Sequence, residues 1–121
     1  MSDAVVRGPI YLIVLSQAFV ALDLRMTIEE FDPTAPVVAA TSTAEALPVL
    51  EGVDRIAVAF VDQGPGDYEQ SALARIVAEK GGHVVLMGDR AEEDGAGHGY
   101  AVLERPFLTA HVADHLLAAL G

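Results

Sequence analysis

Six consecutive apolar residues, Ile56-Ala57-Val58-Ala59-Phe60-Val61, then Asp62 and the turn residues Gln63-Gly64-Pro65-Gly66, constrain the fold more than any other stretch of the chain. A short apolar run without hydrophobic/polar alternation, closed by Gly and Pro, is the pattern of a strand buried on both faces. Such a strand needs cover on both sides and belongs in the middle of a parallel sheet between helices. Asp62 then sits at the carboxyl edge of that sheet, where open α/β folds collect their ligands and chemistry.

The remaining elements follow in alternation. Ile10 to Leu15 is a second unalternating run and so a second central strand, ending at Ser16-Gln17. Val20, Leu24, Ile28 and Phe31 recur at helical spacing over Ala18 to Phe31, and Asp32-Pro33 stops that helix. Val37 to Ala40 is a short strand, and Thr41-Ser42-Thr43 offers an N-cap for a helix over Ala44 to Leu50 that Pro48 shortens or kinks. Asp67 to Lys80 reads as one helix ended by Gly81-Gly82, and Val84 to Met87 as the next strand. Asp89 to Gly99 is polar and glycine-rich with no apolar face, which predicts a loop with at most one helical turn. Tyr100 to Leu103 is the last strand, and Leu108 to Leu120 the last helix. Strands alternating with helices give a doubly wound parallel sheet in a single domain over residues 1–121.

Composition removes several function classes. Eighteen Asp plus Glu against seven Lys plus Arg leave a net charge of -11, which repels nucleic-acid phosphates and anionic lipid. No apolar run is long enough to span a bilayer, and the absence of cysteine excludes disulfides and thiolate metal sites, so a reduced, cytoplasmic setting is expected.

The order of elements, the Val20-Ala21-Leu22-Asp23-Leu24 helix, the third strand ending in Asp and the late Leu103-Glu104-Arg105-Pro106-Phe107 together resemble a response-regulator receiver domain of the CheY-like family. The resemblance covers nearly the whole chain and is nearest to single-domain members with a shortened fourth helix. It implies a five-stranded parallel sheet of flavodoxin-like topology, strand order 2-1-3-4-5, with the fourth helix short or missing. It also implies a phosphoacceptor Asp ending strand three, acids after strand one that hold magnesium, a Ser or Thr ending strand four, and Lys-Pro ending strand five.

Counting back from Leu73-Ala74-Arg75 places the acceptor on Asp62, whereas an ungapped count from Asp54 lands on Ala59; Asp62, where the strand gives way to its turn, is preferred. Where the family has its acids this chain has Leu15, Ser16 and Gln17, all uncharged. The hydroxyl position falls on Gly88, or on Met87 with a one-residue slip, and neither side chain can hydrogen-bond a phosphoryl oxygen. The switch-aromatic position is Val102, with Tyr100 displaced, and Arg105 stands where the family has lysine. A carboxylate attacks a phosphoryl group only when the negative charges are offset, usually by metal and lysine. The expected chemistry is therefore a degenerate pocket with no cofactor and no magnesium site. Arg105 is expected to pair with Asp62 in place of the metal, since an arginine fork suits a carboxylate, and the family suggests a cis peptide before Pro106.

The simpler readings stand beside these. In them Asp62 caps a Gly-Pro-Gly turn, and Ser16-Gln17 is only a strand-helix junction. His111 and His115 have a spacing that can bind a transition metal beside Asp114, but no third ligand converges and the pair reads as solvated. His98 and the acids Glu92, Glu93 and Asp94 read as a solvated loop. The favoured function is a non-enzymatic two-component receiver acting as a phosphorylation-independent interaction module, with a kinase, regulator or scaffold as protein partner. Its surface, by family analogy, is the last strand, the terminal helix and the altered loop. The alternatives are a working phosphoacceptor at Asp62 and a flavodoxin-like binder of small ligands, the latter poorly supported because Ser16-Gln17-Ala18-Phe19 is no phosphate-cradling glycine loop. A stunted helix would leave an apolar patch uncovered, which makes a homodimer a further expectation.

Overall fold

The computed structural model describes residues 6–34, 36–104, 107 and 109–120. Five parallel strands form the sheet: β1 (Val6–Val14), β2 (Val37–Ala40), β3 (Val53–Val61), β4 (His83–Leu86) and β5 (Ala101–Val102), in spatial order β2-β1-β3-β4-β5. This is the expected receiver order. β1 and β3, the two apolar runs, are the central pair, each nine residues long because pairing extends past the apolar run towards the amino end.

The register between them slips where Ile10 pairs Ile56 but Tyr11 pairs Val58. The extra residue, Ala57, re-phases β3, so that Ile56 and Ala59 face one side while Val58 and Phe60 face the other. A second irregularity lies between Val6 and Pro9, which accommodates a proline that cannot donate to the ladder.

Each face of the sheet is covered. On one side α1 (Ala18–Phe31) and α5 (Thr109–Leu120) bury Leu24, Ile28, Val112 and Leu116 against Tyr11, Ile13, Val58 and Phe60. On the other, α2 (Thr43–Leu50), α3 (Pro65–Glu69) and α4 (Ala72–Glu79) bury Leu50, Tyr68, Leu73 and Val77 against Ile10, Leu12 and Val61. α2 starts at Ser42, whose side chain accepts from the Glu45 N–H at 3.2 Å while Glu45 reaches back to the Thr41 N–H at 2.8 Å, a variant of the capping box that carries the helix through Pro48.

Two expectations need correction. The helix predicted over Asp67 to Lys80 is two helices, because Ser71 caps a new start: its hydroxyl accepts from the Ala74 N–H at 3.2 Å and donates to the Tyr68 carbonyl at 2.7 Å. The segment expected as a loop is wound, as a π turn over Ala91–Gly95 running into a 3-10 turn over Ala96–His98. It packs through its smallest residues. Ala91 and Gly95 are buried, and a Cβ on Gly95 would lie 2.5 Å from Val102 Cγ2. The fourth crossover is thus a short helical piece, as the fold class anticipated. No helix among the described residues is long and apolar enough to cross a membrane.

Candidate functional site

The carboxyl edge of the sheet is set by backbone pairing that runs one residue past each strand. Leu15 N–H donates to Ala40 O at 3.1 Å, Asp62 N–H to Val14 O at 3.0 Å, Met87 N–H to Val61 O at 2.9 Å and Leu103 N–H to Leu86 O at 3.0 Å. Leu15, Met87 and Leu103 are buried in the layer beneath α1 and α5, whereas Asp62 is exposed. Leu15, Gln17, Val20, Asp62, Met87, Gly88 and Asp89 line one cleft of about 160 Å³.

Within this cleft Asp62 is held by two neighbours. Ser16 Oγ donates to Asp62 Oδ2 at 3.3 Å. From β4's end, Gly88 adopts φ +102, and a Cβ built on it would stand 2.6 Å from Asp62 Oδ1. The carboxylate thus occupies space that any side chain at position 88 would need, in a backbone conformation that L side chains rarely adopt.

The predicted site residues divide accordingly. Asp62, Ser16, Gln17 and Gly88 do converge, and Leu15 contributes as a buried apolar wall. Val102 lies elsewhere: it is half-buried against Gly95, and its carbonyl is 3.1 Å from His115 Nε2, which donates to it. Arg105 and Pro106 lie outside the described residues, and so do the predicted Asp62–Arg105 pair and the peptide bond before Pro106. Tyr100, the displaced aromatic, packs edge to face with buried Tyr68 at 5.8 Å between ring centroids and 89° between planes. Burial, then the charge and hydrogen bond of Glu69, push the Tyr100 phenol up, and burial followed by Tyr100 pushes Tyr68 up to about 12.

Sequence reasoning missed Asp89, on the same cleft as Asp62, and Gln63, whose Oε1 is buried without a hydrogen-bond partner. The signal for Asp89 was its place directly after Gly88; that for Gln63 was its place after Asp62.

Magnesium wants hard oxygen ligands including one or two carboxylates. The cleft offers Asp62 from β3 and Asp89 from beyond β4, but the β1 end contributes apolar Leu15 and a hydroxyl already bonded to Asp62. Among the described residues no group of three or more His, Cys, Asp and Glu comes together to hold a metal ion. The donor set does not fit the family's metal pocket.

A second groove, about 340 Å³, runs between β5 and α5 and is lined by Val102, Leu103, Glu104, His111, Asp114 and His115. Burial holds the His115 imidazole below its usual range, against the opposing pull of the Val102 carbonyl.

No protein-family model matches the chain, and no curated protein matches it in sequence. Solved structures do. SdrG from Sphingomonas melonis Fr1 is 26% identical with a TM-score of 0.69, and the match covers 99% of this chain and 100% of that one. A response regulator receiver protein from Sinorhizobium medicae WSM419 is 24% identical, TM-score 0.65, over 95% of this chain and 98% of that one. An adenylate cyclase from Rhodopirellula baltica is 20% identical, TM-score 0.69, over 94% of this chain and 88% of that one.

Proposed function

We propose that this chain, which has the fold of a CheY-like response-regulator receiver domain, serves two-component signalling as a protein-docking module that does not depend on phosphorylation of Asp62. The observation that carries this reading is Gly88. Position 88 carries no side chain, and Asp62 Oδ1 fills the place a Cβ there would take, so the end of β4 supplies no hydroxyl to donate to a phosphoryl oxygen. The missing acids after β1 point the same way, because phosphoryl transfer to a carboxylate needs its charge offset.

In this reading Asp62 is a structural carboxylate and Arg105 is its counter-charge, a fork suited to two oxygens. A double-mutant cycle with Asp62→Ala and Arg105→Ala should return a coupling of about 0.5–1 kcal/mol in unfolding free energy, the upper range for an exposed pair. Additive effects would remove the pair. The partner is a kinase, regulator or scaffold, and no enzymatic step is assigned to the chain.

One observation favours a second reading, a working phosphoacceptor: Asp62 is exposed at the mouth of its cleft. Incubation with acetyl phosphate and magnesium, followed by intact-mass measurement beside Asp62→Ala, separates the two. An unmodified mass is expected; a phosphoryl adduct absent from the variant would make the chain a live switch instead.

A further inference from the structure

Two of the chain's four histidines, His111 and His115, stand one helical turn apart on α5, and both line the groove between β5 and α5. Residues four apart on a helix lie one above the other, the spacing at which two imidazoles can share a metal ion. Spacing alone would leave them as two solvated side chains. The structure instead fixes one of them. His115 is half-buried, and its Nε2 lies 3.1 Å from the Val102 carbonyl oxygen. A carbonyl can only accept, so Nε2 carries the proton and the neutral ring keeps its lone pair on Nδ1. An imidazole with one N–H tied to a backbone carbonyl and the other nitrogen bare is the usual arrangement of a metal-ligating histidine. Burial lowers the His115 pKa, which keeps that lone pair unprotonated at neutral pH.

The surroundings select the ion. Glu104 and Asp114 line the same groove and are exposed, and among the described residues no Lys or Arg lines it. The chain's net charge of -11 draws cations towards such a place. Neutral imidazole nitrogens suit zinc, nickel and copper, whereas magnesium and calcium want oxygen. At about 340 Å³ the groove has room for an ion with bound water. We propose that His111 and His115 form a two-imidazole site for a late first-row divalent metal ion, with His115 binding through Nδ1. Among the described residues no three such ligands gather, so water completes the coordination, and Glu104 and Asp114 act through their charge. An ion on Nδ1 fixes the ring that ties α5 to Val102, and so strengthens the hold of α5 on β5. The site shares no residue with the Asp62 cleft and stands apart from the docking-module reading.

The test titrates the full chain with zinc chloride at neutral pH, followed by calorimetry and by the nitrogen resonances of the imidazole rings. One equivalent is expected to bind, moving His115 Nδ1 and one nitrogen of His111 while His115 Nε2 keeps its proton. Melting temperature should rise with zinc and not with magnesium at the same concentration. His111 is exposed, so His111→Ala should leave the metal-free melting temperature unchanged and weaken zinc at least about tenfold. His115→Ala should weaken it as much, with some loss of stability from the broken Val102 bond. His83, at the start of β4, is the other imidazole near His115, and His83→Ala should change zinc affinity less than about twofold. No binding, or binding undiminished by His111→Ala, would overturn the proposal. Loss on His83→Ala in place of His111→Ala would put the ion between β4 and α5 and overturn it as well. So would amide shifts confined to Asp62, Gly88 and Asp89, which would give the zinc to the cleft, or a zinc-bound His115 Nε2.

Discussion

At the scale of single residues, Gly88 decides what Asp62 can do. A side chain there meets two separable penalties: the backbone at φ +102 is strained for any L residue, and the Cβ collides with Asp62 Oδ1. The collision involves the end of a short side chain and is relieved by rotating Asp62, at the expense of the Ser16 hydrogen bond. The strain is not relieved by any such movement. Gly88→Thr, which would restore the family's hydroxyl, should therefore destabilise the fold by about 1–3 kcal/mol in urea unfolding. In an Asp62→Ala background the loss should shrink without vanishing. A Gly88→Thr protein as stable as the parent would show that the backbone relaxes freely, and the argument that position 88 excludes a hydroxyl side chain would go with it.

At the scale of elements, the two-residue strand β5, paired to β4 on one side, is tied to α5 by the His115 Nε2 to Val102 carbonyl hydrogen bond. Burial lowers the His115 pKa, and His83, His111 and Asp114 are the charged neighbours, with Glu104 on the same groove. The native state thus binds this proton less readily than the unfolded chain. Stability from His115 is complete above the unfolded value near 6.5 and is lost as pH falls through the lower folded value. Melting temperature should drop on acidification below about pH 6.5, and less steeply in His115→Gln; parallel profiles would assign the acid limb to other groups. Elements such as β1 and α1 were legible in the sequence because large apolar residues mark their buried faces. The wound segment after β4 was not, since the residues it buries are Ala91 and Gly95, which carry no hydrophobic signal. Nor was the break at Ser71, where a capping hydroxyl looks like any polar residue on an exposed helix face. In the site, Asp62 could be found from the end of its own strand, but its contact with Ser16 and its shared cleft with Asp89 depend on how β1, β3 and β4 register with one another. That is long-range information no local pattern contains.

At the scale of the whole molecule, two apolar layers sandwich the sheet, and the chain carries eighteen acidic and seven basic side chains. Compaction brings those like charges closer than they stand in the unfolded chain, so self-repulsion opposes folding. Raising ionic strength from about 0.01 M to about 0.1 M shortens the screening length from about 30 to about 10 Å, which weakens this repulsion across the molecular surface. The exposed Arg25–Glu29 pair loses a few tenths of a kcal/mol at most, too little to reverse the sign. Melting temperature should rise with sodium chloride by about 2–5 °C, the shift that about 1 kcal/mol produces in a domain of this size. The same measurement tests the cleft. Magnesium chloride at matched ionic strength should give the same melting temperature, because screening depends on the ions' charge and concentration and not on where they sit. A rise specific to magnesium, abolished by Asp62→Ala or Asp89→Ala, would mean that the ion binds the native state preferentially. The two carboxylates that line the cleft would then be a metal site after all, and the case for a phosphorylation-independent module would have to stand on Gly88 alone.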